Sequence, residues 1–110
     1  MLVNKNYCDE NTCVALRELG YNYPQRLIPD YFGIFEEPQY DERIHLYDAQ
    51  QWLREKKLLH VVIDKLLHGG YEFSVVDILN YSEEKNGTAN SYEEALSEGV
   101  KEAVRILKGC

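Results

Sequence analysis

Residues 91 to 109 constrain this chain more than any other stretch. Ser91-Tyr92-Glu93-Glu94 is a capping box, a serine N-cap with a glutamate three residues on that can bond back to it. Tyr92, Leu96, Gly99, Ala103 and Ile106 then recur at alternating steps of four and three, which places them on one side of an α-helix. Gly109 stands where a helix C′ residue belongs. An amphipathic helix of this length does not hold itself in water; its apolar side requires a sheet or other helices to lie on. The chain is therefore expected to form a packed domain, with the helix spanning roughly 92–108.

At 110 residues one domain, 1–110, is the expected unit. Its 45% apolar residues suffice for a core without disulfide staples. Cys8, Cys13 and Cys110 form an odd set and are read as reduced thiols. No apolar run approaches the length of a membrane span, and the start of the chain lacks the apolar stretch of a signal peptide. A cytoplasmic location is the expectation.

Other elements follow from pattern and punctuation. A first helix is expected over 9–19, with Asp9 as N-cap, Cys13, Leu16 and Leu19 on one face, and Gly20 as its stop. Tyr21 after it can pack back on Leu16. Pro24 and Pro29 exclude regular helix from the connector 21–30. Residues 31–35 read as a strand, and 39–44 as either a second strand or an irregular return. A second helix is expected from near His45 to about Lys57, burying Leu46, Ala49, Trp52 and Leu53, with Asp48 in the place of a capping-box acid. Residues 58–67 and 71–80 alternate like hairpin arms about Gly69-Gly70, with a loop of two or three residues. Residues 81–90 read as a polar loop with Asn86-Gly87 at its tip. The fold class is α+β: a small, mainly antiparallel sheet of three or four strands, helices on one face, in the order α-β-(β)-α-β-β-α.

Three segments carry a resemblance: Ala15-Leu16-Arg17-Glu18-Leu19-Gly20-Tyr21, Tyr47 to Lys56, and Ser91-Tyr92-Glu93-Glu94-Ala95. In these the chain is similar to a family of short, uncharacterised open reading frames of gut Bacteroidetes and their phages or mobile elements. The likeness implies a compact α+β protein and implies no activity. The hairpin followed by Tyr92-Glu93-Glu94-Ala95-Leu96 also resembles the half-fold of HicB-type antitoxins. The chain departs from that pattern at Asn80-Tyr81-Ser82-Glu83-Glu84, and it has no basic tail.

A net charge of −7 excludes a general nucleic-acid binder, which needs a basic surface to displace counterions from phosphates. Cys8 and Cys13 are spaced C-x4-C without a second ligand pair, so no metal is expected. His60 alternates with apolar strand positions, and His68 adjoins the glycine turn. Neither suggests a catalytic partner, and no phosphate-binding loop is present. No cofactor and no enzymatic activity are expected.

The unusual component is tyrosine, nine residues of it, several near predicted element ends. Tyrosine gives large contact area at small entropic cost and is enriched at interfaces. The candidate interaction surface is Tyr21, Tyr23, Tyr31 and Tyr40 with Glu36, Glu37, Asp41 and Glu42. The partner it implies is a basic protein or a second copy of the chain. Alternative readings are an antitoxin-like regulator of a mobile element and an acidic mimic of nucleic acid.

Overall fold

The computed structural model describes residues 6–27 and 40–109. Within them lie α1 (Glu10–Glu18), α2 (Leu46–Lys56), β1 (Leu59–Lys65), β2 (Tyr71–Asp77), β3 (Ser82–Ala89) and α3 (Tyr92–Leu107). The fold is α+β. The strands form an antiparallel meander, β1-β2-β3, with helices packed against it. α3 lies across all three strands, α2 packs against β1 and α3, and α1 packs on α3. The strand expected over 31–35 lies outside the described residues.

The helix ends follow their sequence signals. The Asp9 carboxylate accepts from the Thr12 backbone N–H at 2.8 Å and starts α1. At its other end Gly20 N–H donates to Arg17 C=O and Tyr21 N–H to Leu16 C=O, both at 3.0 Å. This is a Schellman turn, and Gly20 meets its left-handed requirement at φ +104°. Ser91 Oγ accepts from Glu94 N–H at 3.2 Å and starts α3. His45, a poor N-cap by preference, caps α2 by accepting at Nδ1 from the Tyr47 N–H at 3.2 Å. Asp48 does not complete a capping box there; its carboxylate is taken by Arg26.

Two sequence expectations change. Residues 81–90 are not a loop, since Ser82–Ala89 pairs with β2 as an edge strand. Its composition hides it: Ser-Glu-Glu-Lys-Asn-Gly-Thr-Ala has no apolar alternation, because backbone pairing rather than a buried face holds it. Gly87 is not a turn tip either. It faces Phe73 across the strands, and a Cβ there would stand 2.7 Å from the Phe73 ring. The register skips Glu84 between Val75 and Val76, a bulge that with the charged side chains blunts the sheet edge. Residues 40–44 are the irregular return rather than a strand. Isolated bridges Leu27↔Tyr40 and Tyr7↔His45 fasten it. In the hairpin, Leu66 N–H still bonds Gly70 C=O at 3.1 Å, so the loop is the three residues Leu67 to Gly69.

The core lies between the sheet and the helices. Val61 and Val75 face Leu96, Gly99, Val100 and Ala103 of α3, while Leu46, Ala49, Trp52 and Leu53 of α2 and Leu16 of α1 close the side. Trp52 and Leu53 are buried as expected. Cys13 and Cys8 are buried too: the Cys13 thiol donates to Cys8 C=O at 3.6 Å and accepts from Ile44 N–H at 3.3 Å. His60, opposite Val76, is half-buried on the sheet's outer face. Among the described residues no helix is long and apolar enough to cross a membrane.

Candidate functional site

Three segments meet beside the C-terminal end of α1 and enclose a cleft of about 120 Å³. The Schellman turn reverses the chain after Gly20, so the connector runs back past α2. There Tyr21 sets its ring edge-on to Trp52, centroids 5.6 Å apart, and Tyr23 tilts against Tyr21 at 5.7 Å. The return enters opposite, tied by the Asp41 N–H on Arg26 C=O at 2.8 Å and the Cys8 N–H on Ile44 C=O at 2.8 Å. Arg17 comes from α1 and Asp48 from the first turn of α2.

The cleft is organised by arginine. Arg26 holds Asp48 through two bonds of 2.8 Å. Arg43 holds Asp41 at 2.7 and 3.0 Å, and its guanidinium lies 4.4 Å over the Tyr7 ring. Arg17 donates to the carbonyl of Glu42. These guanidiniums hold both aspartates below the usual carboxylate range, Arg26 acting on Asp48 and Arg43 on Asp41. The Tyr23 hydroxyl donates to Glu55 and is raised by that bond. Tyr21 is raised by burial, then by the Asp48 charge. Of the two buried thiols behind the cleft, Cys13 ionises first. Its side-chain interaction with Cys8 lowers its pKa, burial opposes this, and the Ile44 N–H and the Arg17 charge add to the lowering. Cys8 is correspondingly raised by Cys13 and by burial.

The candidate residues therefore divide. Tyr21 is a structural ring on Trp52. Tyr23 and Asp41 have internal partners. Tyr40 is 48% exposed and Glu42 is exposed; among the described residues neither the Tyr40 hydroxyl nor the Glu42 carboxylate carries a bond. Tyr31, Glu36 and Glu37 lie outside the described residues. Sequence reasoning missed Arg17, Arg26 and Arg43. Each meets its partner through the tertiary fold or in a bend, and no spacing rule links Arg26 to Asp48. Among the described residues no group of three or more His, Cys, Asp and Glu could hold a metal ion.

His45 makes the cleft sensitive to pH. It is buried, edge-on to Tyr7 at 5.1 Å and stacked on Tyr47 at 5.2 Å, and its Nδ1 must be unprotonated to cap α2. Burial, then the Arg26 charge, lowers its pKa, while Asp48 and Asp41 oppose this. As pH falls past about 6.5 the unfolded chain takes up this proton before the folded one does, so stability declines from there through the lower folded pKa. The aspartates act in the same direction at lower pH, below about 3.9. We expect the urea midpoint to drop between pH 7 and 5.5, and His45→Asn, which keeps a capping oxygen, to reduce the drop. His60, also lowered by burial, leaves a residual slope. An identical pH dependence in His45→Asn would remove His45 from this role.

A second, broader concavity of about 940 Å³ lies between the hairpin loop and α3, bordered by Leu66, His68, Asn90, Glu94 and Lys101. It is open, and Lys101 on its wall is occupied by Asp9 at 3.3 Å and Glu98 at 3.6 Å. Comparison with protein-family models, with curated proteins and with solved structures finds no match for this chain.

Proposed function

We propose that the protein is a non-enzymatic, cytoplasmic protein-binding module that engages its partner at the rim of the arginine-tyrosine cleft. The observation that carries this reading is the contrast within one surface. Tyr21, Tyr23, Asp41 and Asp48 are consumed by internal contacts, whereas the Tyr40 hydroxyl and the Glu42 carboxylate stand beside them on a braced backbone, without a bond among the described residues. Braced aromatic and charged side chains lose little entropy on binding. The net charge of −7 favours the approach of a basic protein at long range, and Glu42 supplies a carboxylate at the contact.

The acids of α3 speak against the nucleic-acid mimic. Glu98 and Glu102 are interleaved with Lys101 and Arg105, which pair with them at 3.6 and 3.1 Å. A phosphate-like row would leave the carboxylates unneutralised.

The test is affinity capture from a lysate of the native host, comparing the wild-type protein with Tyr40→Ala/Glu42→Lys. A specific partner retained by the wild type should lose at least about tenfold in binding to the variant. Equal capture by both proteins, with Tyr40→Ala/Glu42→Lys folded, would show that this rim is not the contact.

A further inference from the structure

One end of the sheet presents apolar side chains to water on a strained backbone. Among the described residues only two non-glycine residues have positive φ, Leu58 at +58° and Tyr81 at +54°. Both sit at this end: Leu58 leads into β1, and Tyr81 closes the turn from β2 to β3. Large side chains rarely adopt this conformation, and it persists only where the surroundings enforce it. They do so here. Leu58 C=O accepts from Ile78 N–H at 3.0 Å. The Asp77 carboxylate accepts from Leu79 N–H at 3.0 Å, from Asn80 N–H at 3.2 Å and from the Asn80 amide at 3.1 Å.

This bracing does not bury anything. Tyr81 is 88% exposed, Leu79 71% and Leu58 37%, so strain and apolar exposure coincide on a rigid ridge. Scattered exposed leucines need no explanation, but three exposed apolar side chains on braced backbone at one end of the sheet do.

The charges around the ridge identify what covers it. The strand order puts Leu58 at the β1 edge and Tyr81 at the β3 edge, about 10 Å apart. Lys56 and Lys57 precede Leu58, whereas Glu83 and Glu84 follow Tyr81. None of the four is in an ion pair among the described residues. The Glu83 carboxylate accepts from Asn86 at 2.8 Å and from Ser74 at 3.3 Å, that of Glu84 accepts from Ser82 at 2.7 Å, and Lys57 lies 5.6 Å over the Trp52 ring. A surface that is basic on one side, apolar in the middle and acidic on the other is complementary to itself under a two-fold rotation. The rotation stacks the two apolar ridges and sets each lysine pair against the other copy's glutamate pair.

We propose that this end of the sheet is the interface of a symmetric dimer, with Leu79 and Tyr81 at its centre and Lys56/Lys57 facing Glu83/Glu84 across the two-fold axis. The surface is separate from the arginine-tyrosine cleft, so the two readings stand or fall independently. The ridge is small, so the dimer is a weak one, to be measured from about 10 µM to about 1 mM protein.

The experiment is sedimentation velocity of the full chain with reductant present to silence Cys110. The wild type should shift from monomer to dimer across the range, and Leu79→Ser should weaken the dimer about tenfold or more. Glu83→Lys/Glu84→Lys and Lys56→Glu/Lys57→Glu should each be monomeric with wild-type circular dichroism, and should dimerise when mixed in equal amounts. Recovery on mixing requires both charge contacts at once, which misfolded variants would not supply. A wild type that stays monomeric throughout would overturn the proposal. So would a dimer indifferent to the charge reversals, or one that mixing fails to restore.

Discussion

Trp52→Ala should cost about 3–5 kcal/mol, the largest loss expected of a single truncation in this chain. Trp52 is 2% exposed, in a core cluster that also holds the buried Leu53, Leu16 and Leu46. The cost would be a large part of the about 5–15 kcal/mol that holds a domain of this kind together. With a urea m-value of about 2 kcal/mol/M, it corresponds to a midpoint lowered by about 2 M. The chain has a single tryptophan, so the transition should be followed by circular dichroism rather than fluorescence. Trp52→Phe, which keeps an aromatic ring in the site, should fall between the wild type and Trp52→Ala. A loss below about 1 kcal/mol for Trp52→Ala would mean that the indole is not a core element. The effect should reach the cleft as well, because Tyr21 rests its ring on the indole at 5.6 Å and Tyr23 leans on Tyr21.

α1 and α3 were legible because each is announced twice, once by its apolar spacing and once by its caps, whereas α2 is announced by its apolar spacing alone. Asp9 and Ser91 do what their positions imply, and Gly20 and Gly109 end their helices at positive φ. β1 and β2 were legible because they bury alternate residues. β3 was not. Its inward positions are filled by Gly87 and Ala89 beside long polar chains, and the volume over Gly87 is supplied by Phe73 from the neighbouring strand. A strand that borrows its packing from a neighbour leaves no apolar pattern of its own. His45 is a poor cap by preference, because the usual caps offer a short oxygen; its burial between Tyr7 and Tyr47 fixes the ring so that Nδ1 serves instead.

The cleft was legible only by composition. Tyrosine content and charge point to the segment from Tyr21 to Asp48 and to its tyrosines and acids as one surface. Folding separates them. Arg26 and Arg43 neutralise the aspartates, and Tyr21 turns inward, so the exposed remainder among the described residues is Tyr40 and Glu42. The Arg26–Asp48 pairing depends on the angle at which the Schellman turn returns the chain, a three-dimensional quantity with no counterpart in residue spacing.

Gly99 sets how closely α3 approaches the sheet, and its replacement should test that distance directly. Two effects oppose each other in Gly99→Ala. Alanine in a helix interior is favoured over glycine by about 1 kcal/mol. Against this, a Cβ at position 99 would stand 2.3 Å from Val61 Cγ1, far inside the roughly 3.5–4.0 Å of normal carbon contact. Val61 is fully buried, and its branched side chain has little rotamer freedom with which to yield. Phe73 closes the other side at 3.5 and 3.6 Å. Overpacking of this kind costs about 1–3 kcal/mol or more, so it outweighs the propensity gain, and Gly99→Ala should destabilise by about 1–2 kcal/mol. The outcome should reverse once Val61 Cγ1 is gone. In a Val61→Ala background the new methyl enters the space left by the valine, the helix gains its propensity, and Gly99→Ala should be neutral or stabilising by up to about 1 kcal/mol. The double-mutant cycle should therefore report a coupling of about 2 kcal/mol between the two positions. Additive losses would mean that the helix does not rest on Val61, and that the apolar stripe of α3 packs the sheet somewhere else.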